Sequence, residues 1–262
     1  MKTIECIRVL LRINLIKTIL FNFRVFPLKT AVHLPIVFYG RCQVVTGGKV
    51  ELNVKPSFAL LIIGRNQSLT FGERGSHTDV TYFRISGTLI INGYNNTFAN
   101  GCKIYIKKSG CLCMQGNNLI QNHSKIHCAN SITIGEYSRI SWETQMFDTN
   151  MHYLINPDGR ISNNKGTVVI GNYCWIGNRC TIQKGTMLPD FSVVASNSLV
   201  NKDFTSQPHG VIAGTPARLI STGSKRLFNY KAERCLDSLF QQNPAMGSVA
   251  LSAIIQQQNS IE

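Results

Sequence analysis

The 262-residue chain is short of acidic side chains: 13 Asp and Glu stand against 27 Lys and Arg, a formal charge of +14. Charged residues make up only 15% and hydrophobic residues 44%, which excludes a charge-rich disordered polymer and leaves apolar surface for one substantial core. Long hydrophobic runs are also missing. The greasiest segment, Ile4 to Phe26, is interrupted by Glu5, Arg8, Arg12, Lys17 and Arg24, so no stretch of about 18 uncharged apolar residues can span a bilayer. The segment lacks the small-residue cleavage site of a secretory signal, and the expected location is the cytoplasm. Zinc-type cysteine spacing is absent: nine cysteines form no double CxxC, and Cys111 and Cys113 alone imply no metal. The cysteines are then expected as thiols.

What the chain does contain is a short repeat. From Ile170 an aliphatic residue returns at every sixth position, as Ile170, Ile176, Ile182, Leu188, Val194 and Val200. Four residues after each of the first five stands a small side chain, Cys174, Cys180, Thr186, Ser192 and Ser198. An upstream copy runs Ile134, Ile140, Met146, with Ser138 and Thr144 at the small position. A period of six fits neither a 3.6-residue helix nor a simple alternating meander. It fits a coil with flat sides, in which three six-residue units close a turn of about 18 residues and turns stack about 4.8 Å apart. The aliphatics then point inward, the small residues occupy narrow corners, and Gly135, Gly171 and Gly177 are expected to supply the backbone freedom of tight turns. Cys174 and Cys180 are read as corner residues rather than a disulfide.

The segments IGNYCWIGNRCTIQKGTMLPDFSVVASNSLVNKDF at 170 to 204 and GVIAGTPARLI at 210 to 220 resemble the hexapeptide-repeat acyltransferases, in particular the sugar and antibiotic O-acetyltransferase branch. The likeness runs from about Thr88 to Ile220. It implies an all-β fold, a left-handed parallel β-helix of hexapeptide repeats, with the hand coming from the resemblance because spacing does not fix it. Between Thr88 and Ser131 the coil should be irregular, since Ile120, Ile126 and Ile132 keep the six-residue step in a frame shifted by two from Ile134. GKVEL at 48 to 52 and GTLIING at 87 to 93 read as strands. The expected division is an N-terminal helix and cap over residues 1–50, the coil over 51–220, and a C-terminal helix and tail over 221–262.

Residues 4 to 20 carry Ile4, Ile7, Leu11, Leu15 and Ile19 at helical spacing among Arg8, Arg12 and Lys17, a basic amphipathic helix. It either caps the open end of the coil or docks on anionic lipid, and both roles can coexist. Residues 224 to 240 read as a second, charged amphipathic helix, followed by a Gln- and Asn-rich tail.

The chemistry is expected where the repeat breaks. Met146 and Ile170 are a multiple of six apart, yet the intervening MHYLINPDGRISNNKG is rich in turn residues, so a loop over 149–167 leaves the coil. Its lead-in, Asp148-Thr149-Asn150-Met151-His152, resembles the family's D-x-D-x-H segment, which makes His152 the candidate general base. Acyl transfer from a thioester to a hydroxyl requires removal of the alcohol proton, and an imidazole with an ordinary pKa of about 6.5 accepts it near neutrality without a covalent enzyme intermediate. Asp148 either orients the ring or caps the turn. Asn150 stands where the family often has a second Asp, and it brings no charge. A rival constellation is His123, His127 and His152 as zinc ligands, after the metal-binding hydratases that share this coil; without their accompanying Arg and Asp pattern, no metal is expected.

By resemblance, acetyl-CoA lies along the coil between two subunits of a homotrimer. The matching residues are Trp175, Gly177 and Asn178 in WIGN, Ala195 and Ser196 in VVASN, Asn201 and Lys202 in LVNKD, and Gly214, Pro216 and Arg218 in a GTPAR loop that closes over the nucleotide end. Trp175 either walls the thioester pocket or is an exposed corner aromatic. Lys202 and Arg218 are suited to phosphates. The basic balance suits CoA and an acidic glycan; without a recognisable nucleic-acid module, no nucleic-acid partner is expected. The expected function is acetyl-CoA-dependent O-acetylation of a sugar hydroxyl in a polysaccharide precursor. Alternatives are N-acetylation of an amino sugar, transfer of another acyl group, or a non-catalytic trimeric scaffold.

Overall fold

A computed structural model of the chain describes residues 12–66, 79–252 and 254. The chain divides into two compact units between Lys225 and Arg226. In the first, the hexads wind into a three-sided parallel coil. Among the described residues, sheet 1 has nine strands running from Ile36–Phe38 to Ala217–Thr222, sheet 2 has seven from Arg41–Thr46 to Leu199–Val200, and sheet 3 has six from Lys49–Leu52 to Met187–Leu188. The chain passes from sheet 1 to sheet 2 through a first corner, to sheet 3 through a second, and back through a third.

All six in-phase aliphatics from Ile170 to Val200 are buried in one core. Ile170 faces Leu188, Ile176 faces Val194 and Ile182 faces Val200, each 18 positions on. Upstream, Ile120 faces Ile140 and Ile126 faces Met146, each 20 positions on. The two extra residues lie in sheet 3, where Ser131–Ile134 turns both Ile132 and Ile134 inward. The shift of two in the sequence is therefore one longer strand on one side of the coil.

The glycines do something other than expected. Gly135, Gly171 and Gly177 do not have positive φ; a Cβ on Gly177 would stand 2.6 Å from Ser196 N, and one on Gly171 2.7 Å from Asp190 N. They permit close approach of successive turns. The left-handed backbone falls instead on the residue before each small corner side chain: Tyr137, Glu143, Tyr173, Arg179, Gly185, Phe191 and Asn197. For residues other than glycine that conformation costs about 1–2 kcal/mol each, and here the stacked ladder enforces it. The small residues behind them are buried and bonded: Thr186 Oγ1 donates to Val200 O at 2.9 Å and Ser192 Oγ to Pro189 O at 2.7 Å. Cys174 and Cys180 are free thiols buried at the same position.

The coil begins earlier than the expected residue 51, because Ile36–Phe38, Arg41–Thr46 and Lys49–Leu52 already pair with the next turn. Its first turn is closed by helix α1 (Leu15–Val25), followed by the short α2 (Leu28–Ala31). The expected helix over 4–20 is thus described from Leu15 and continues to Val25; residues 4–11 lie outside the described residues. Phe21 packs on Phe38 at 5.1 Å between ring centroids, and Thr18 and Asn22 accept from the amides of Phe38 and Ile36, both at 3.1 Å. An otherwise open strand edge is thereby covered. At the other end Phe204 is fully buried, and the strands Gly210–Gly214 and Ala217–Thr222 pair antiparallel. In the second unit α3 (Tyr230–Gln242) starts six residues later than the expected helix over 224 to 240, where Asn229 Oδ1 accepts from Ala232 N. Within the Gln- and Asn-rich tail, residue 253 and residues 255–262 lie outside the described residues.

Candidate functional site

The excursion adds the length of one whole turn between neighbouring strands. Ile134 faces Ile170, Ile140 faces Ile176 and Met146 faces Ile182, each 36 positions on. A segment of twice the normal step leaves the inward phase untouched, which is why the loop can exit and the core continue. It leaves at the second corner, after the strand Gln145–Phe147, and rejoins at Thr167–Ile170. Thr149 bridges to Lys165, Asn150 N donates to Asn164 O at 2.8 Å, and beyond them Leu154–Ile155 pairs antiparallel with Ile161–Ser162.

Asp148 anchors this exit. It is completely buried, and the amides of Ala129 and Asn130 donate to its Oδ1 and Oδ2 at 2.7 and 2.6 Å. Of the two roles expected for it, the geometry gives the turn cap: both oxygens face backbone of the preceding turn. Four residues on, His152 is exposed at the mouth of the loop. Lys184 Nζ donates to Asn163 O at 2.7 Å and ties the loop's return to the next turn, and Lys202 follows one turn later at the same corner.

The candidate cofactor residues divide between two corners. Gly177, Asn178, Ala195, Ser196 and Gly214 stack on successive turns of the first corner, where Ser196 Oγ donates to Asn178 Oδ1 at 2.6 Å and Gly214 N to Ser198 Oγ at 3.2 Å. Asn201 and Lys202 lie at the second corner with His152, across the outer face of sheet 2. Trp175, 40% exposed, is not a corner residue; it stands on the flat of sheet 1 in register with Arg139 and Val193. GTPAR belongs to a hairpin. Its residues form the tight end of the terminal hairpin, with Gly214 opposite Ala217 and Ala213 opposite Arg218, leaving Pro216 and Arg218 exposed.

The three histidines of the rival zinc constellation are apart. His123 is at the first corner with Nε2 3.3 Å from Asp79 Oδ2, His127 is on the face of sheet 2, and His152 is on the loop. Among the described residues no group of three or more His, Cys, Asp or Glu is arranged to hold a metal ion. The sequence reading missed what His127 does have. Its ring lies between Tyr105 and Phe147, at 6.5 and 6.4 Å, one strand position before the corner that Asp148 anchors. Partial burial, and secondarily Lys107, hold this imidazole below its ordinary value, while the Asp148 carboxylate opposes them. Its register, opposite Phe147 beside Asp148, was the available signal. The buried thiols are poor nucleophiles: burial pushes Cys174 up to about 12 and raises Cys180, and burial together with Asp148 raises Cys128.

No protein-family model matches the chain. Over 69 residues it is 39% identical to a protein named as a macrolide acetyltransferase of Lysinibacillus sphaericus, covering 26% of this chain and 36% of that protein. Over 148 residues it is 28% identical to a protein of Escherichia coli named as a lipopolysaccharide biosynthesis O-acetyl transferase, WbbJ, covering 53% of this chain and 74% of the relative. The crystal structure of the polySia specific acetyltransferase NeuO superposes with a TM-score of 0.48 at 18% identity, over 79% of this chain and 94% of that one. The chain therefore spans little more than a third of the first relative's length.

Proposed function

From the six-residue coil and these likenesses we propose that the chain is a hexapeptide-repeat acyltransferase and that it transfers an acetyl group from acetyl-CoA to a sugar hydroxyl of a polysaccharide precursor, with His152 as general base. The observation that carries this reading is the exit of the excursion: a whole-turn insertion, anchored by Asp148, that holds one exposed imidazole at a corner where Lys184 and Lys202 follow on the next two turns. The imidazole accepts the hydroxyl proton as the sugar oxygen attacks the thioester carbonyl. The C–O bond forms, the C–S bond breaks, and the proton passes to the departing thiolate. Lys202 and Arg218, both exposed, suit the phosphates of the donor, and the stacked Asn178 and Ser196 suit its amide-rich arm. Asn150 lines the entry to the loop without adding charge.

In this reading the coil is left-handed and works in the cytoplasm as a homotrimer, with the donor at a seam between copies. The tip of the excursion supports the assembly. Met151, Tyr153, Leu154 and Ile161 are more than half exposed and Ile155 is 75% exposed, an apolar hairpin that fits against a neighbouring coil. The reaction is tested by incubating the protein with isotopically labelled acetyl-CoA and a panel of nucleotide sugars and oligosaccharides. Labelled ester on a glycan is expected by mass spectrometry. Label found as an amide on an amino sugar, or no acetyl-CoA binding by calorimetry, would overturn O-acetyl transfer.

A further inference from the structure

Helix α1 caps the coil with polar side chains and keeps its apolar ones outside. Thr18 and Asn22 are buried against the first turn and bond its backbone, and Phe21 is the one large apolar side chain of the helix that is fully covered. The opposite face presents Leu15, Ile16, Ile19, Leu20 and Phe23, between 45% and 74% exposed, and Leu28 of α2 continues it at 68%. These positions form one stripe at helical spacing, so the exposure is a face and not a scatter of single residues. A continuous apolar strip of this kind marks a contact surface.

Its electrostatic setting selects the partner. Between Glu5 and Glu51 the sequence has no Asp or Glu, while basic residues recur throughout. Arg12, Arg24 and Lys29 border the stripe and are exposed. Two copies joined through this face would bring like charges together around it, with no acid there to pair them. An anionic surface is complementary to the same ring of charge. No helix among the described residues is long and apolar enough to cross a membrane, so the contact is with a surface.

We infer that α1 docks on an anionic lipid bilayer, its outward stripe entering the boundary between headgroups and acyl chains and Arg12, Arg24 and Lys29 lying among the phosphates. The docked face is the one the cap does not use, so closing the coil and holding it to a membrane are served by opposite sides of one helix. The inference does not depend on acyl transfer, and its test contains no acetyl-CoA, so either reading can fail alone.

The test is co-sedimentation of the full chain with vesicles of phosphatidylcholine alone or mixed with phosphatidylglycerol. Binding to the anionic vesicles should exceed binding to the neutral ones by at least about tenfold and weaken with added salt. The double variant Ile16→Glu with Leu20→Glu changes only outward side chains; it should keep the wild-type thermal midpoint and lose vesicle binding. Arg24→Gln with Lys29→Gln should lower binding to the anionic vesicles alone. Equal sedimentation of wild type and Ile16→Glu/Leu20→Glu would overturn the proposal. So would wild type that ignores both vesicles, whether or not the double variant shifts the oligomeric mass by light scattering and so hands the stripe to a second copy.

Discussion

Asp148 is the residue whose replacement should separate positioning from proton transfer. Its two oxygens accept the Ala129 and Asn130 amides in a fully buried setting, so Asp148→Asn sets an amide NH2 against a backbone donor. The expected cost is about 1–3 kcal/mol, read as a lower denaturation midpoint in urea. An unchanged midpoint would remove the anchoring role. His127 gives a pH signature. Because its folded pKa lies below the ordinary 6.5, the native state takes up fewer protons than the unfolded chain, and stability should decline as pH falls below about 6.5. His127→Gln should flatten that decline in midpoints measured between pH 5 and 7. Cys174 and Cys180 occupy the corner position that Ser138, Ser192 and Ser198 fill elsewhere, with Sγ 3.4 and 3.1 Å from Pro189 O and Ala195 O. Cys174→Ser and Cys180→Ser should therefore retain wild-type turnover, whereas a thiol nucleophile would lose it. At this scale the sequence marked the corners through side-chain size. It did not mark the left-handed residue before each, because the ladder imposes that conformation on Tyr, Glu, Arg and Phe alike.

Among the elements, two-residue strands repeated every six positions were legible because each contributes one inward aliphatic and one small corner. The strands Ile36–Phe38 and Arg41–Thr46 were not recognised as part of the coil, since Arg41–Thr46 runs six residues and pairs over its whole length, which hides the hexad, whereas Lys49–Leu52 was legible as a strand. The excursion could be seen as a break in composition, while its length of one turn shows only when Ile134 is paired with Ile170. Close packing of turns predicts an asymmetry among glycines. Gly177→Ala pushes a Cβ to within 2.6 Å of Ser196 N, so the first corner must open; a loss of about 1–3 kcal/mol in thermal or chemical denaturation and weaker acetyl-CoA binding are expected. Gly47→Ala, with its nearest neighbour 4.0 Å away, serves as the tolerated control.

On the scale of the whole molecule, each end of the coil is closed by different means: a helix whose side chains satisfy a strand edge at one end, and a buried Phe204 with an antiparallel hairpin at the other. The length between them carries the candidate site residues on two corners flanking one sheet, so in the proposed reaction the donor's arm and the base would approach the same face from opposite edges. The families of corner residues were readable from spacing, but their division between corners was not, because 18-residue closure must be known before Asn178 and Lys202 can be assigned to different edges. The measurement that bears most directly on the account is steady-state acetyl transfer by wild type and His152→Ala, paired with calorimetry of acetyl-CoA binding. Turnover should fall by roughly 10² to 10⁴ while donor affinity stays within a few-fold. Wild-type turnover in His152→Ala would take the imidazole out of the reaction.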